Sequence, residues 1–129
     1  KRHWVEYSES WTASPMSYWV HIETQGDWAN AAGHVPSLPK PVPGKGFARY
    51  FIENDGMAFQ FSSLDELRAC IEVLSKKNLP TSAQLASQRP GTVGPNSHWL
   101  SRLPAKTKSW KYREPAVAYL GRCLKEWCP

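Results

Sequence analysis

Between His98 and Arg113 the chain reads HWLSRLPAKTKSWKYR, in which Arg102, Lys106, Lys108, Lys111 and Arg113 alternate with Trp99, Trp110 and Tyr112. Lys and Arg neutralise phosphates and release their counterions, and an aromatic face stacks on an unpaired base. This alternation supports non-covalent capture of nucleic acid or another polyanion. The expected contact residues are Arg102, Lys106, Lys108, Trp110, Lys111, Tyr112 and Arg113. The competing reading is a solvated basic loop whose aromatic residues fill the core, as aromatic residues commonly do. No nucleic-acid motif of defined spacing accompanies the segment.

The charge balance favours the same half of the chain. Residues 1 to 75 hold six Lys/Arg against nine Asp/Glu, and residues 76 to 129 hold ten against two, so a total of +5 conceals halves of −3 and +8. A sided field of this kind draws polyanions before any specific contact forms.

Other constellations carry less. The turn Asn78-Leu79-Pro80-Thr81, between a predicted helix and a short segment holding Ser82, Gln84, Ser87, Gln88 and Arg89, has the length of a helix-turn-helix corner, but its second helix is barely two turns. The tract VPSLPKPVP at 35 to 43 resembles a polyproline II segment. Together with seven tryptophans, more than one small core readily buries, it supports the alternative of a protein-interaction module or inhibitor. His21 and Glu23, close in sequence to Asp27 and His34, form the one conceivable acid/base pocket, the basis of a third reading as a small enzyme. No Gly-rich phosphate loop, nucleophile elbow or paired-carboxylate motif supports catalysis. The four histidines are scattered, and no Cys/His spacing matches a zinc site, so neither metal nor cofactor is expected.

The elements that must position these residues are read from periodicity and punctuation. Residues 4 to 11 and 17 to 24 are rich in aromatic and β-branched residues around Ala13-Ser14-Pro15, which predicts a first hairpin. Residues 25 to 46, with four glycines and four prolines, read as a long loop that is mobile or contacts a partner and that a short Gly linker should replace without loss of the fold. Asp55-Gly56 predicts a two-residue type I′ turn with Asn54 opposite Met57, Ile52 opposite Phe59 and Tyr50 opposite Phe61. That register places Ala48, Tyr50, Ile52, Met57, Phe59 and Phe61 on one face. Ser63 and Glu66 form a capping-box pattern opening a helix to about Asn78, with Leu64, Leu67, Cys70, Ile71 and Leu74 as its stripe. Short helices are expected near 82 to 88 and near 97 to 103, the latter capped by Asn96 or Ser97. A last helix is expected from Pro115 to about Trp127, carrying Val117, Leu120, Cys123, Leu124 and Trp127, with Gly121 marking close approach to another element.

The expected architecture is α+β: an antiparallel sheet of two hairpins, about four strands, followed by three or four helices packed on one face. At 129 residues it forms a single domain, with a strand-rich acidic half at 1 to 62 and a helical half at 63 to 129 that is basic from 76 on. No apolar run is long enough to span a membrane, and Lys1 to Trp4 lead into polar sequence rather than a signal core. Three cysteines, two of them on predicted apolar helix faces, point to a reducing, cytoplasmic setting.

Overall fold

A computed structural model describes residues 1 to 88 and 98 to 128. Its centre is the predicted hairpin of β4 (Phe47–Asn54) and β5 (Met57–Phe61). Asp55 and Gly56 both have positive φ, 48° and 80°, as a type I′ turn requires. Asn54 faces Met57, Ile52 faces Phe59 and Tyr50 faces Phe61, the expected register. Ile52, Met57, Phe59 and Phe61 are accordingly buried on one face.

The partner on the other side of β4 is β1 (Arg2–Ser8), antiparallel, with Arg2 opposite Glu53 and Ser8 opposite Phe47. The order β1-β4-β5 therefore joins strands far apart in sequence, and the predicted first hairpin does not form. Instead, Ser17–Val20 is a one-turn helix, α1. Two-residue strands β2 (Ile22–Glu23) and β3 (His34–Val35) pair with each other. Ser14 and Ser17 bond each other's turn and also the distant Glu66 carboxylate, and these bonds replace a strand ladder. The Ser14 N–H donates to Ser17 Oγ at 2.9 Å, and the Met16 N–H donates to Ser14 Oγ at 3.1 Å. These side-chain bonds compete with a strand ladder and wind the chain into a turn that buries Met16. The chain returns into β4 at Gly46, whose φ is +101° and where a Cβ would lie 2.3 Å from the Ser8 carbonyl oxygen, so only glycine fits.

Helix α2 spans Leu64–Leu74 and starts where expected, Ser63 Oγ accepting from the Glu66 N–H at 3.2 Å. The Glu66 carboxylate accepts from the Ser62 N–H instead of closing the box on Ser63. A full capping box opens α3 (Ser82–Ala86), where Thr81 and Gln84 bond each other's backbone N–H. Of the predicted helix near 97 to 103, Trp99–Arg102 forms a 3-10 turn headed by the His98 ring. The expected caps Asn96 and Ser97 lie outside the described residues.

Helix α4 runs Trp110–Trp127, five residues longer at its start than predicted. Ser109 caps it, Oγ accepting from the Tyr112 N–H at 3.3 Å, and Pro115 sits within the helix on an exposed position. There proline has no N–H to give the Lys111 carbonyl, a loss that costs least on an exposed face of the helix. Leu120 and Cys123 are buried, with Val117, Leu124 and Trp127 packed against the core. A Cβ on Gly121 would meet nothing within 4 Å, so the expected close approach is absent. The buried side chains of β4, β5, α2 and α4 form one cluster centred on Ile52, Phe61, Leu67, Cys70 and Leu120. The described helices include none long and apolar enough to cross a membrane.

Candidate polyanion-binding surface

The basic segment is built around one buried cation. Arg113 is 2% exposed, and its guanidinium donates to four main-chain carbonyls: Leu74 at 2.9 Å, Lys76 at 2.5 Å, Lys77 at 3.1 Å and Lys108 at 3.2 Å. One of the partners bears on why α2 stops short of the predicted Asn78: the Leu74 carbonyl, which the Asn78 N–H would bond in a continued helix, is taken by the guanidinium, whose planar donors also suit the negative end of the helix dipole. Arg113 is thus removed from the surface expected of it, and no phosphate can reach it without dismantling this joint.

The same joint creates a cluster that no side-chain pattern announced. The backbones of Lys76, Lys77 and Lys108 converge on a single guanidinium while their side chains are exposed. Lys106, on the same 3-10 turn (Ala105–Lys108), reaches the Asp55 carbonyl at 3.4 Å, at the tip of the β4–β5 hairpin. A shallow depression beside it is lined by Asp55, Lys106, Ser109, Lys111, Tyr112 and Pro115. Lys111 and Arg102 are exposed. Among the described residues no acidic side chain lies within ion-pair distance of Lys76, Lys77, Arg102, Lys106, Lys108 or Lys111.

The aromatic members are engaged with their own chain. Tyr112 donates its hydroxyl to the Asn54 carbonyl at 3.0 Å, and Trp110 is half-buried with the Arg113 guanidinium 5.2 Å from its ring centre. Trp99 is buried and the other tryptophans are half-buried. Several meet other aromatic rings: Trp4 stacks on Phe51, Trp28 contacts Trp11, Tyr18 and His34, and Trp127 packs on Tyr50. On the Pro-rich loop the large hydrophobic side chains that stand exposed are Val35 and Val42.

The residues of the enzyme reading do not converge on an open pocket. His21 is fully buried, Nδ1 donating to the Pro36 carbonyl at 2.8 Å and Nε2 lying 2.8 Å from Ser63 Oγ and 3.3 Å from Glu66 Oε2. His34, opposite Glu23 in the β2–β3 pair, donates from Nε2 to the Trp28 carbonyl. Glu66 is also fully buried and accepts from Ser14 Oγ, Ser17 Oγ and the Ser62 N–H. Burial opposes charge on both members of this pair. The Glu66 contact and the Pro36 carbonyl nevertheless hold the His21 pKa above its ordinary value, and His21 with the three other donors holds Glu66 below its own. This network joins the α1 turn and the Pro-rich loop to the start of α2. His98 is held neutral by burial, its pKa lowered to about 4. The described residues contain no group of three or more His, Cys, Asp or Glu placed to hold a metal ion. No family model matches this chain, and neither does any curated protein or solved structure.

Proposed function

We propose that this protein is a non-enzymatic binding protein that engages nucleic acid through phosphate contacts from Lys76, Lys77, Arg102, Lys106, Lys108 and Lys111. The observation that carries the reading is the buried Arg113 guanidinium, which draws together the main-chain carbonyls of Lys76, Lys77 and Lys108, three exposed residues without an ion-pair partner among the described residues. An excess of like charge on a folded chain is self-repulsive, a cost that an anionic ligand reverses on binding. Trp110 and Tyr112 are occupied by Arg113 and Asn54, which supports a phosphate-only mode over base stacking.

Titration of random-sequence single- and double-stranded oligonucleotides at two salt concentrations tests this. Both affinities should fall with salt, and Trp110→Ala should leave their ratio unchanged. A wild-type protein that binds neither at low salt overturns the proposal. A selective loss of single-stranded binding in Trp110→Ala restores the stacking mode.

A further inference from the structure

Among the described residues the outer edge of β1 is unpaired, and its hydrogen-bonding groups can be assigned. Asn54 and Met57 close a two-residue turn and are therefore a hydrogen-bonded pair, so alternate β4 residues, Phe47, Arg49, Phe51 and Glu53, direct their backbone groups to β1. Their partners are Ser8, Glu6, Trp4 and Arg2, which leaves the N–H and C=O groups of His3, Val5 and Tyr7 pointing away from the sheet. Among the described residues none of these groups has a partner. Edge strands are ordinarily blunted by proline, a bulge or charged side chains, lysine above all. β1 runs seven residues in unbroken register without proline, lysine or a bulge, and its charged residues are Arg2 and Glu6.

The side chains on this edge are complementary to themselves. A second copy related by a two-fold axis must pair antiparallel, with its own outward-pointing residues opposite His3, Val5 and Tyr7, so the axis passes through a residue and not between two. Centred on Trp4, the pairing sets Arg2 opposite Glu6 of the other copy, twice. Centred on Val5 it sets Arg2 opposite Ser8, and centred on Glu6 it sets two carboxylates against each other. In the first register Arg2, already 2.5 Å from Glu53, stands between Glu53 and the incoming Glu6, and the guanidinium has donors for both.

We propose that two copies of this protein associate through antiparallel β1–β1 pairing centred on Trp4, turning the three-stranded sheet of each into one continuous six-stranded sheet. The occupant of the edge is a second copy because the charge pattern of Arg2 and Glu6 is symmetric about Trp4, a property that an unrelated extended segment would have to match by chance.

The test is a charge exchange followed by sedimentation equilibrium, with circular dichroism confirming that each variant folds. Glu6→Arg places two Arg–Arg pairs across the seam and Arg2→Glu places two Glu–Glu pairs, so each alone should dimerise about tenfold more weakly or worse than wild type. Mixed in equal amounts, the two variants present only opposite charges and should recover the wild-type association. In wild type, hydrogen exchange at the amides of His3, Val5 and Tyr7 should slow as concentration rises, while Trp4 and Glu6 stay protected throughout. The proposal is overturned by a wild type that remains monomeric up to its solubility limit, by a Glu6→Arg variant that dimerises as tightly as wild type, or by a mixture no tighter than its components. Protection of the three amides by an added extended peptide, without self-association, would assign the edge to a different partner.

Discussion

Replacing Glu66 by Gln should destabilise the protein by an amount that depends on pH. In the native chain one carboxylate oxygen accepts from the Ser62 N–H at 3.0 Å and from Ser14 Oγ, and the other accepts from Ser17 Oγ at 2.8 Å and faces His21 Nε2 at 3.3 Å. An amide of the same shape keeps one acceptor oxygen but puts an NH2 group where Ser17 and His21 now donate. Two charge-assisted contacts are lost in a site with no solvent exposure, which at roughly 1.5–3 kcal/mol each amounts to about 3–6 kcal/mol. The sign of the pH effect follows from the two shifts. The raised His21 pKa contributes stability that is complete below its ordinary value of 6.5 and is lost as pH rises through the folded value. The lowered Glu66 pKa contributes stability that is complete above 4.5 and is lost as pH falls through the folded value. Both contributions are therefore complete between 4.5 and 6.5. In Glu66→Gln the His21 ring loses its anion and stays neutral, so the destabilisation should be largest inside that window and shrink on the alkaline side. Urea unfolding followed by tryptophan fluorescence at about pH 5.5 and about pH 8.5 measures both gaps. Equal destabilisation at the two pH values would show that the pair is not ionised.

Arg113→Met should cost roughly 3–5 kcal/mol by stranding four carbonyls, and Arg113→Lys should recover little because an ammonium cannot span them; thermal denaturation of both reads this out. Gly121→Ala should raise stability by about 0.5–1 kcal/mol, since the added methyl meets nothing, and a loss would mean the helix needs the gap. Gly46→Ala should be strongly destabilising, and a thermal midpoint within a degree or so of wild type would contradict the close approach to Ser8. Replacing residues 25 to 46 with a short Gly linker should lower the thermal transition, against the expectation from composition. The segment supplies the Pro36 carbonyl to His21 and the Trp28 ring to Trp11 and Tyr18.

Where local chemistry decides the structure, the residues reveal it. Asp55-Gly56 and the period-2 alternation around it define the β4–β5 register, and Ser63 with Glu66 marks the start of α2. Where a distant group decides, they do not. The segment from Ser17 to Thr24 has strand composition, yet Ser17 and His21, with Ser14 just before them, are recruited by Glu66, 49, 45 and 52 residues later, and no local period carries that demand. Pro115 competes with Ser109 as the start of α4, and burial of Arg113 in the first turn favours Ser109. The surface was legible in its charges and not in its geometry. Lys106, Lys108, Lys111 and Arg102 stand exposed as their types suggest, whereas Lys76 and Lys77 join them through main-chain carbonyls that leave no mark on the side-chain pattern. The pair Lys76-Lys77 directly beyond the α2 stripe was the available signal.

The salt dependence of duplex DNA binding, compared between wild type and a Lys76→Gln, Lys77→Gln, Lys108→Gln variant, addresses the clustered lysines directly. Each phosphate neutralised contributes about 0.9 to the slope of log K against log salt. If the three lysines whose carbonyls meet Arg113 contact phosphate together, the variant's slope should be shallower by about 2.7 at unchanged folding stability. A variant that binds with the wild-type slope would contradict the account.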